Sequence, residues 1–199
     1  NMTGSAFLQT QRLPFDIVED SLNNAGTKHR DTYNLMGALS WELYKGIALG
    51  VKVDFTAANA AKYKDLRHKT KLMNLALTTG LYVPLKPIAL GLNYTYQRNT
   101  ESVVFSTYAS NAQEFSSYIN YGPWIGKTEQ FSSSGFTDSN REQPMLNEYH
   151  GLGLQFSWEI LPNLSWFNNF GGAYRKGYYG RKSPYTIVHS DHHSNIYDY

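Results

Sequence analysis

The stretch IALGVKVDF, residues 47–55, alternates without a break between apolar residues and small or charged residues. Successive side chains of a β-strand point to opposite faces of a sheet, so this stretch predicts a strand with one apolar face and one polar face. The same four letters open IALGLNYTY, residues 88–96, which continues the alternation. Because each copy follows a short turn-like segment, we expect both to occupy the same structural position, the start of a strand that leaves a tight turn.

Period-two alternation recurs along the chain and predicts about seven strands. The predicted strands cover residues 5–12, 33–43, 47–56, 73–83, 88–97, 152–160 and 164–175. Their apolar faces carry Leu, Val, Ile and aromatic residues, whereas the opposite faces are mostly Gly, Ala, Ser, Thr and Asn with few charges. Small polar residues of this kind are typical of a curved barrel wall around a wet or plugged interior.

The composition narrows the class of protein. The 199 residues contain no cysteine, which excludes a disulfide framework and thiolate metal sites. A formal net charge of +2 argues against a nucleic-acid binder as partner class. No run approaches the ~18 consecutive apolar residues of a membrane helix. The high contents of Tyr and Gly, 16 residues each, fit either a soluble all-β protein or a transmembrane β-barrel.

The connections between the predicted strands alternate in length. Residues 44–46, 84–87 and 161–163 form short turns, whereas residues about 13–31, 57–69, 99–145 and 179–199 form long loops. Short turns on one side and long loops on the other are the connectivity of transmembrane β-barrels. We therefore expect residues 1–199 to form one all-β domain, an antiparallel up-and-down transmembrane barrel.

Hairpin register provides an internal check, because residues that face each other across a hairpin must lie on the same face. The predicted facing pairs are Trp41 with Leu49, Val83 with Ile88, and Trp158 with Trp166. The loops between these strands have three, four and three residues. Each length places the apolar residues of the two flanking strands on the same face.

Aromatic residues mark both ends of the apolar faces. Trp41, Trp158 and Trp166 each lie two residues from a short turn. Near the long-loop ends stand Tyr33, Phe55, Tyr94, Tyr96 and Tyr174. Rings at both boundaries of an apolar band are typical of proteins that cross a bilayer, whose interfaces favour Trp and Tyr.

Three segments resemble the outer-membrane β-barrel proteins of Gram-negative bacteria: LMGALSWELYKGIALGVKVDF, LALTTGLYVPLKPIALGLNYTY and LGLQFSWEILPNLSWFNNF. The Tyr- and Asn-rich loops look like those of uncharacterised barrels of Bacteroidetes. The resemblance implies localisation in the outer membrane, contact with the lipid bilayer, and insertion by the outer-membrane assembly machinery. It also implies transport or surface interaction as the function.

The strand count departs from a complete barrel. Single-chain bacterial barrels have an even number of strands, and both termini are expected on the short-turn side. About seven strands are predicted, with a final long segment at residues 179–199, and no signal peptide is visible. These features predict that the chain is a segment of a larger barrel.

The few charged side chains of the polar faces are expected to point into the barrel lumen. The candidates are Glu42, Lys52, Asp54 and Arg98, together with the amide of Gln97. Lumen charges either tune ion selectivity or simply fill the interior with water and with each other, and the second role is the commoner one.

Residues 189–193 hold the densest group of candidate metal ligands. In a strand, His189, Asp191 and His193 would share a face and could bind Zn²⁺ or Ni²⁺. A solvated loop is the commoner explanation for such a run. No GxSxG motif, P-loop or defined triad is present, so neither enzymatic activity nor a cofactor is expected.

The function that these patterns favour is passive, porin-like transport of small solutes, or binding of solutes or glycans at the surface by the long loops. Two alternatives stay open. One is a soluble lipocalin-like barrel with an apolar ligand inside, and the other is an outer-membrane barrel hydrolase with Ser and His at its rim. The direction in which the apolar faces point separates the lipocalin-like alternative from a membrane barrel.

Overall fold

The computed structural model of the chain describes residues 16–19, 27–63, 67–106, 115–122, 125–131, 143–179 and 190–199. Ten strands lie in these ranges: β1 (Asp16–Glu19), β2 (Lys28–Tyr44), β3 (Ile47–Lys62), β4 (Arg67–Leu85), β5 (Ile88–Ser106), β6 (Phe115–Gly122), β7 (Ile125–Phe131), β8 (Gln143–Leu161), β9 (Leu164–Tyr179) and β10 (Ser190–Asp198). None of the described residues belongs to a helix long and apolar enough to cross a membrane.

Seven of the strands form one antiparallel sheet in the order β10-β9-β8-β5-β4-β3-β2. Neighbours in the sheet are also neighbours in the chain, except at β5 and β8, between which β6 and β7 are inserted. β6 pairs with β7 and with β1 in a separate three-stranded sheet. The all-β, antiparallel, up-and-down architecture is therefore confirmed. The large sheet is open, with β2 and β10 at its edges.

The strands of the large sheet are longer than the alternation predicts. Residues 28–31, 57–62, 67–69 and 99–106 belong to strands and not to long loops. Beyond the apolar band these extensions carry mostly small or polar residues, and the apolar run Val103–Phe105 does not alternate. Backbone pairing therefore continues where the hydrophobic alternation has already stopped.

Further strands lie within two of the predicted loops. β6 and β7 fall within residues 99–145, and β10 falls within residues 179–199. β10 pairs antiparallel with β9, from Ser190 opposite Tyr179 to Asp198 opposite Gly171. The prediction of a loop there was wrong because the sequence SDHHSNIYD has no apolar alternation to reveal a strand. The predicted strand at residues 5–12 lies outside the described residues.

Three tight turns join β2 to β3, β4 to β5, and β8 to β9. Their two-residue tips, residues 45–46, 86–87 and 162–163, lie inside the predicted turn segments. Lys45 and Gly46 both have positive φ, 49° and 81°, as a type I′ hairpin turn requires. The Gly46 amide donates a hydrogen bond of 2.9 Å to Glu42 Oε1, which fixes the first turn from its own strand.

The registers of the first and third hairpins are as predicted. The observed facing pairs are Trp41 with Leu49 and Trp158 with Trp166. A bulge beside each tip supplies an extra residue, so a two-residue turn still leaves the strands in the predicted phase. The predicted register of the second hairpin was wrong by two residues, since Val83 faces Leu90. A shift of two retains the side-chain faces, so the hydrophobic pattern could not detect it.

The register divides the side chains of the large sheet into two faces. Apart from the bulges, the apolar face consists of odd-numbered residues in β2, β3, β4 and β10 and even-numbered residues in β5, β8 and β9. The remaining residues form the polar face.

Burial follows these two faces in an unusual way. All buried residues of the described ranges lie on the polar face: Ala58, Lys62, Thr70, Asn99, Glu101, Val103, Met145, Asn147, Tyr149 and Tyr179. Leu35 and Leu39 on the apolar face are 67% and 66% exposed. The covered part of the sheet is thus its polar face at the end away from the tight turns, whereas the apolar face holds no buried residue among the described ranges, unlike that of a soluble antiparallel sheet.

Candidate functional site

The polar face carries two adjoining grooves, one over β2, β3 and β4 and one that extends from these strands to β5 and β8. The first has a volume of about 350 Å³ and includes Lys52, and the second has a volume of about 240 Å³ and includes Asn93. Ser40, Gly50 and Gly80 line both grooves. Small residues at these positions leave space above the sheet that longer side chains would fill.

Lys52 and Asp54 form an ion pair on the polar face, with 2.8 Å between Nζ and Oδ2. They lie two residues apart in β3, so both side chains point the same way. Their side chains are 47% and 44% exposed. Because both side chains are exposed, their charges are accessible to solutes. A pair as exposed as this contributes only ~0–1 kcal/mol to stability.

Glu42 and Gln97 also lie on the polar face, but neighbouring groups hold them. Glu42 accepts the hydrogen bond of the first turn. Gln97 Nε2 donates to Asn74 Oδ1 over 2.7 Å, and the hydroxyls of Thr78 and Thr95 lie 2.9 Å apart. These contacts hold the polar side chains against the sheet, between neighbouring strands of its polar face. The structure therefore places all four of these lumen candidates on one face without bringing them into one cluster.

The five predicted interface aromatics lie on the apolar face. Trp41, Trp158 and Trp166 stand beside tight turns and are 53%, 38% and 52% exposed. Trp158 and Trp166 are neighbours across β8 and β9, whereas Trp41 lies on the edge strand β2. At the other end of the band, the Tyr94 hydroxyl lies 2.7 Å from His150 Nδ1.

A charged rim lies beyond Tyr96 on the apolar face. The Tyr96 hydroxyl donates to Glu148 Oε1 over 3.1 Å, Arg98 Nη1 lies 3.8 Å from the same oxygen, and Lys176 Nζ lies 3.5 Å from Glu148 Oε2. The Tyr96 hydrogen bond and the two cations outweigh the opposing effect of burial and hold the pKa of Glu148 below its ordinary value. The prediction that Arg98 shares a face with Lys52 was wrong. Arg98 and Tyr96 are both even-numbered residues of β5, so both side chains point to the apolar face.

A buried polar cluster lies on the polar face, formed by Asn147 of β8, Gly177 and Tyr179 of β9, and His192 of β10. Asn147, Gly177 and His192 are in register across the three strands. His192 Nε2 lies 2.6 Å from Asn147 Oδ1, and the His192 ring stacks on the Tyr179 ring with centroids 4.6 Å apart. The two side chains meet over Gly177, where a Cβ atom would lie 2.8 Å from His192 Nε2.

Burial controls protonation in this cluster. Burial, helped by the charge of Arg175, lowers the pKa of His192, and burial raises the pKa of Tyr179. Sequence reasoning missed the cluster because His192 lay in a predicted loop. Gly177 would have been a signal if the predicted strand had extended past residue 175, since a glycine inside a strand marks a close approach of neighbouring groups.

The structure describes two of the three predicted metal ligands. Asp191 and His193 lie together on the apolar face of β10, and His189 lies outside the described residues. Within the described ranges, no group of three or more His, Asp or Glu side chains is placed to hold a metal ion. His192 points to the opposite face, into the buried polar cluster.

Comparison with known proteins gives a family without a known activity. No curated protein and no solved structure matches the chain. The model of a family of unknown function, DUF6850, matches residues 21–199, a range that includes β2 to β10. The chain therefore belongs to the DUF6850 family.

Proposed function

We propose that the large sheet is part of the wall of an outer-membrane β-barrel, with its apolar face against lipid and its polar face toward the lumen. The observation that carries the proposal is the inverted distribution of side chains. Most of the exposed large apolar residues of the sheet lie on one face, and the buried residues lie on the other, at the end away from the tight turns. In water an exposed apolar face of this extent would drive association, whereas acyl chains would cover it in a bilayer.

The length of the apolar band supports the proposal. We take the membrane-spanning segments to be residues 33–43, 47–56, 73–85, 88–96, 150–161 and 164–174. A tilted strand of ~9–11 residues crosses the hydrocarbon core. Trp at one end of the band and Tyr at the other match the two interfaces. The charged rim and the buried polar cluster lie beyond these segments.

The two alternatives fit less well. A lipocalin-like barrel needs an apolar enclosed face, but five of the ten buried residues described are polar or charged, among them Lys62, Glu101 and Asn147. A hydrolase needs a Ser and a His that meet, and His150 and Ser157 lie on opposite faces of β8. We therefore propose a barrel without enzymatic activity and without a cofactor.

The polar face favours passive, porin-like passage of small solutes as the activity. In a barrel its grooves and the Lys52–Asp54 pair would face a water-filled interior. The connections opposite the tight turns are the proposed surface for binding solutes or glycans. Further strands would close the open edges, because unpaired backbone groups cost several kcal/mol each in hydrocarbon, and the assembly machinery would insert the barrel.

Adjacent residues of β2 on opposite faces test which face meets lipid. Leu39→Arg places a charge on the apolar face, and Ser40→Arg places the same charge on the polar face; both side chains are exposed. We expect Leu39→Arg to destabilise the membrane-inserted protein by ~2–4 kcal/mol. Ser40→Arg should change its stability by less than ~0.5 kcal/mol. Urea unfolding from phosphatidylcholine vesicles, followed by tryptophan fluorescence, measures both changes.

Flotation of the wild-type protein with the vesicles is the accompanying control. Equal destabilisation by the two variants would falsify the proposed orientation. Recovery of the wild-type protein in the soluble fraction without detergent would contradict the membrane location itself.

A further inference from the structure

A third groove lies on the apolar face, across β4, β5, β8 and β9, with a volume of about 390 Å³. Its lining includes Lys71, Met73, Arg98, Thr100, Leu146 and Tyr178. Met73, Thr100, Leu146 and Tyr178 face one another in a row across the four strands. Arg98 lies one step from this row toward the tight turns, and Lys71 lies one step from it in the other direction. The groove therefore combines a row that contains the apolar side chains of Met73 and Leu146 with a cation on each side.

Cations outnumber carboxylates around this groove. The cations on this part of the apolar face are Lys69, Lys71, Arg98 and Lys176. Glu148 lies between Arg98 and Lys176 at 3.8 Å and 3.5 Å, and Asp191 lies on the next strand opposite Tyr178. Glu101 also lines the groove, but its side chain belongs to the polar face and is 2% exposed. The groove is thus suited to an anion.

The groove lies immediately beyond the aromatic end of the apolar band. Arg98 follows Tyr96 by two residues in β5, which is about 7 Å along the strand. In the proposed barrel this is the depth at which acyl chains give way to lipid headgroups. A lipid at this position would place its phosphate between Lys71 and Arg98, level with Met73 and Leu146, and its acyl chains along the apolar band beyond Tyr96.

We propose that this groove binds the phosphate headgroup of an anionic membrane lipid, an inference that rests on the proposed function. Arg98 can present two N–H groups to two phosphate oxygens, and Lys71 adds a point charge. Tyr96 and Lys176 also contact Glu148, so its charge is shared among three partners and does not depend on Arg98 alone. The Arg98 side chain is 46% exposed and can reach the groove.

Spin-labelled lipids test the inference on the full chain reconstituted in phosphatidylcholine vesicles. The vesicles carry a trace of spin-labelled phosphatidylglycerol or of spin-labelled phosphatidylcholine, and the motionally restricted fraction of each label measures its association with the protein. We expect phosphatidylglycerol to be preferred at low ionic strength. Lys71→Gln and Arg98→Gln should each lower this preference, by as much as about fivefold per charge removed. The double variant should show equal association of the two lipids.

Lys52→Gln is the matched control, because it makes the same change on the polar face and should leave the preference unaltered. Equal association of the two lipids with the wild-type protein, or an equal loss of preference in Lys52→Gln, overturns the inference and leaves the barrel proposal standing. If neither label shows a restricted fraction, the chain does not contact the bilayer, and the proposed function fails together with this inference.

Discussion

Gly177 is the residue on which the buried polar cluster depends. A Cβ atom at this position would collide with the carbonyl oxygen of Leu146 and lie 3.0 Å from Asn147 Oδ1. The absence of a side chain allows His192 to cross β9 and reach Asn147 on β8. One glycine therefore permits a contact that links three strands.

Replacing this glycine should disrupt that link. We expect Gly177→Ala to destabilise the protein by ~1–3 kcal/mol, because a methyl group forced against backbone atoms must displace β8 or β10. Guanidinium unfolding of the detergent-solubilised protein, followed by tryptophan fluorescence, measures the change.

Gly37→Ala in β2 is the control, because a Cβ atom there would have no neighbour within 4 Å. Its effect should stay within ~0.5 kcal/mol. Equal losses of stability in both variants would show that the close approach at Gly177 does not cause the destabilisation.

At the scale of an element, the attachment of β10 should depend on pH through His192. The pKa of His192 is lowered in the folded protein, so the unfolded chain binds this proton more readily. Its stabilising effect is therefore complete above the unfolded value of about 6.5 and decreases as the pH falls below it. Hydrogen exchange of β10 amides, normalised to those of β4, should accelerate as the pH is lowered through this range.

Two neighbouring histidines provide the comparison for this experiment. His192→Gln should remove the pH dependence, whatever its effect at neutral pH, because it removes the titrating group from the buried polar cluster. His193→Gln on the opposite face should retain it, even though His193 makes a small repulsive contribution to the His192 shift. Retention of the pH dependence in His192→Gln would assign it to another group.

The elements also show how far the sequence predicts this fold. The strands around IALG at residues 47 and 88 were found with the correct faces, because alternation is strong wherever one face is wholly apolar. Their extensions beyond the band, and β10 altogether, were missed because backbone pairing there is not accompanied by an apolar pattern. The two-residue register error at Val83 has the same origin, since only odd shifts change a face.

The candidate sites were less predictable than the strands. The alternation along each strand was enough to assign Lys52, Asp54 and Gln97 to one face. An error in counting this alternation placed Arg98 with them. The His192–Asn147 contact and the row from Met73 to Tyr178 join strands that are distant in the chain, and such neighbours follow only from the complete register.

At the scale of the whole molecule, the Lys52–Asp54 pair should set the charge preference of a conducting lumen. Lys52→Gln leaves the Asp54 carboxylate without its partner and should shift selectivity toward cations. Asp54→Asn should shift it toward anions by leaving the Lys52 ammonium. Reversal potentials in a salt gradient across planar bilayers measure both shifts.

The two variants serve as controls for each other, because each removes one charge of the same pair. Shifts in the same direction would exclude a direct electrostatic effect of the pair. Conductance without any shift would place these charges away from the solute path.

Because side chains alternate between the two faces, the strands tolerate only some insertions and deletions. Insertion of one residue within β4 would move every later side chain of that strand to the opposite face. Leu81 would then occupy the position that Gly80 or Tyr82 holds now. The same insertion between Lys62 and Arg67, where β3 has ended and β4 has not begun, changes no face. Insertions and deletions should therefore accumulate in the connections, and those accepted inside the band should come in pairs of residues.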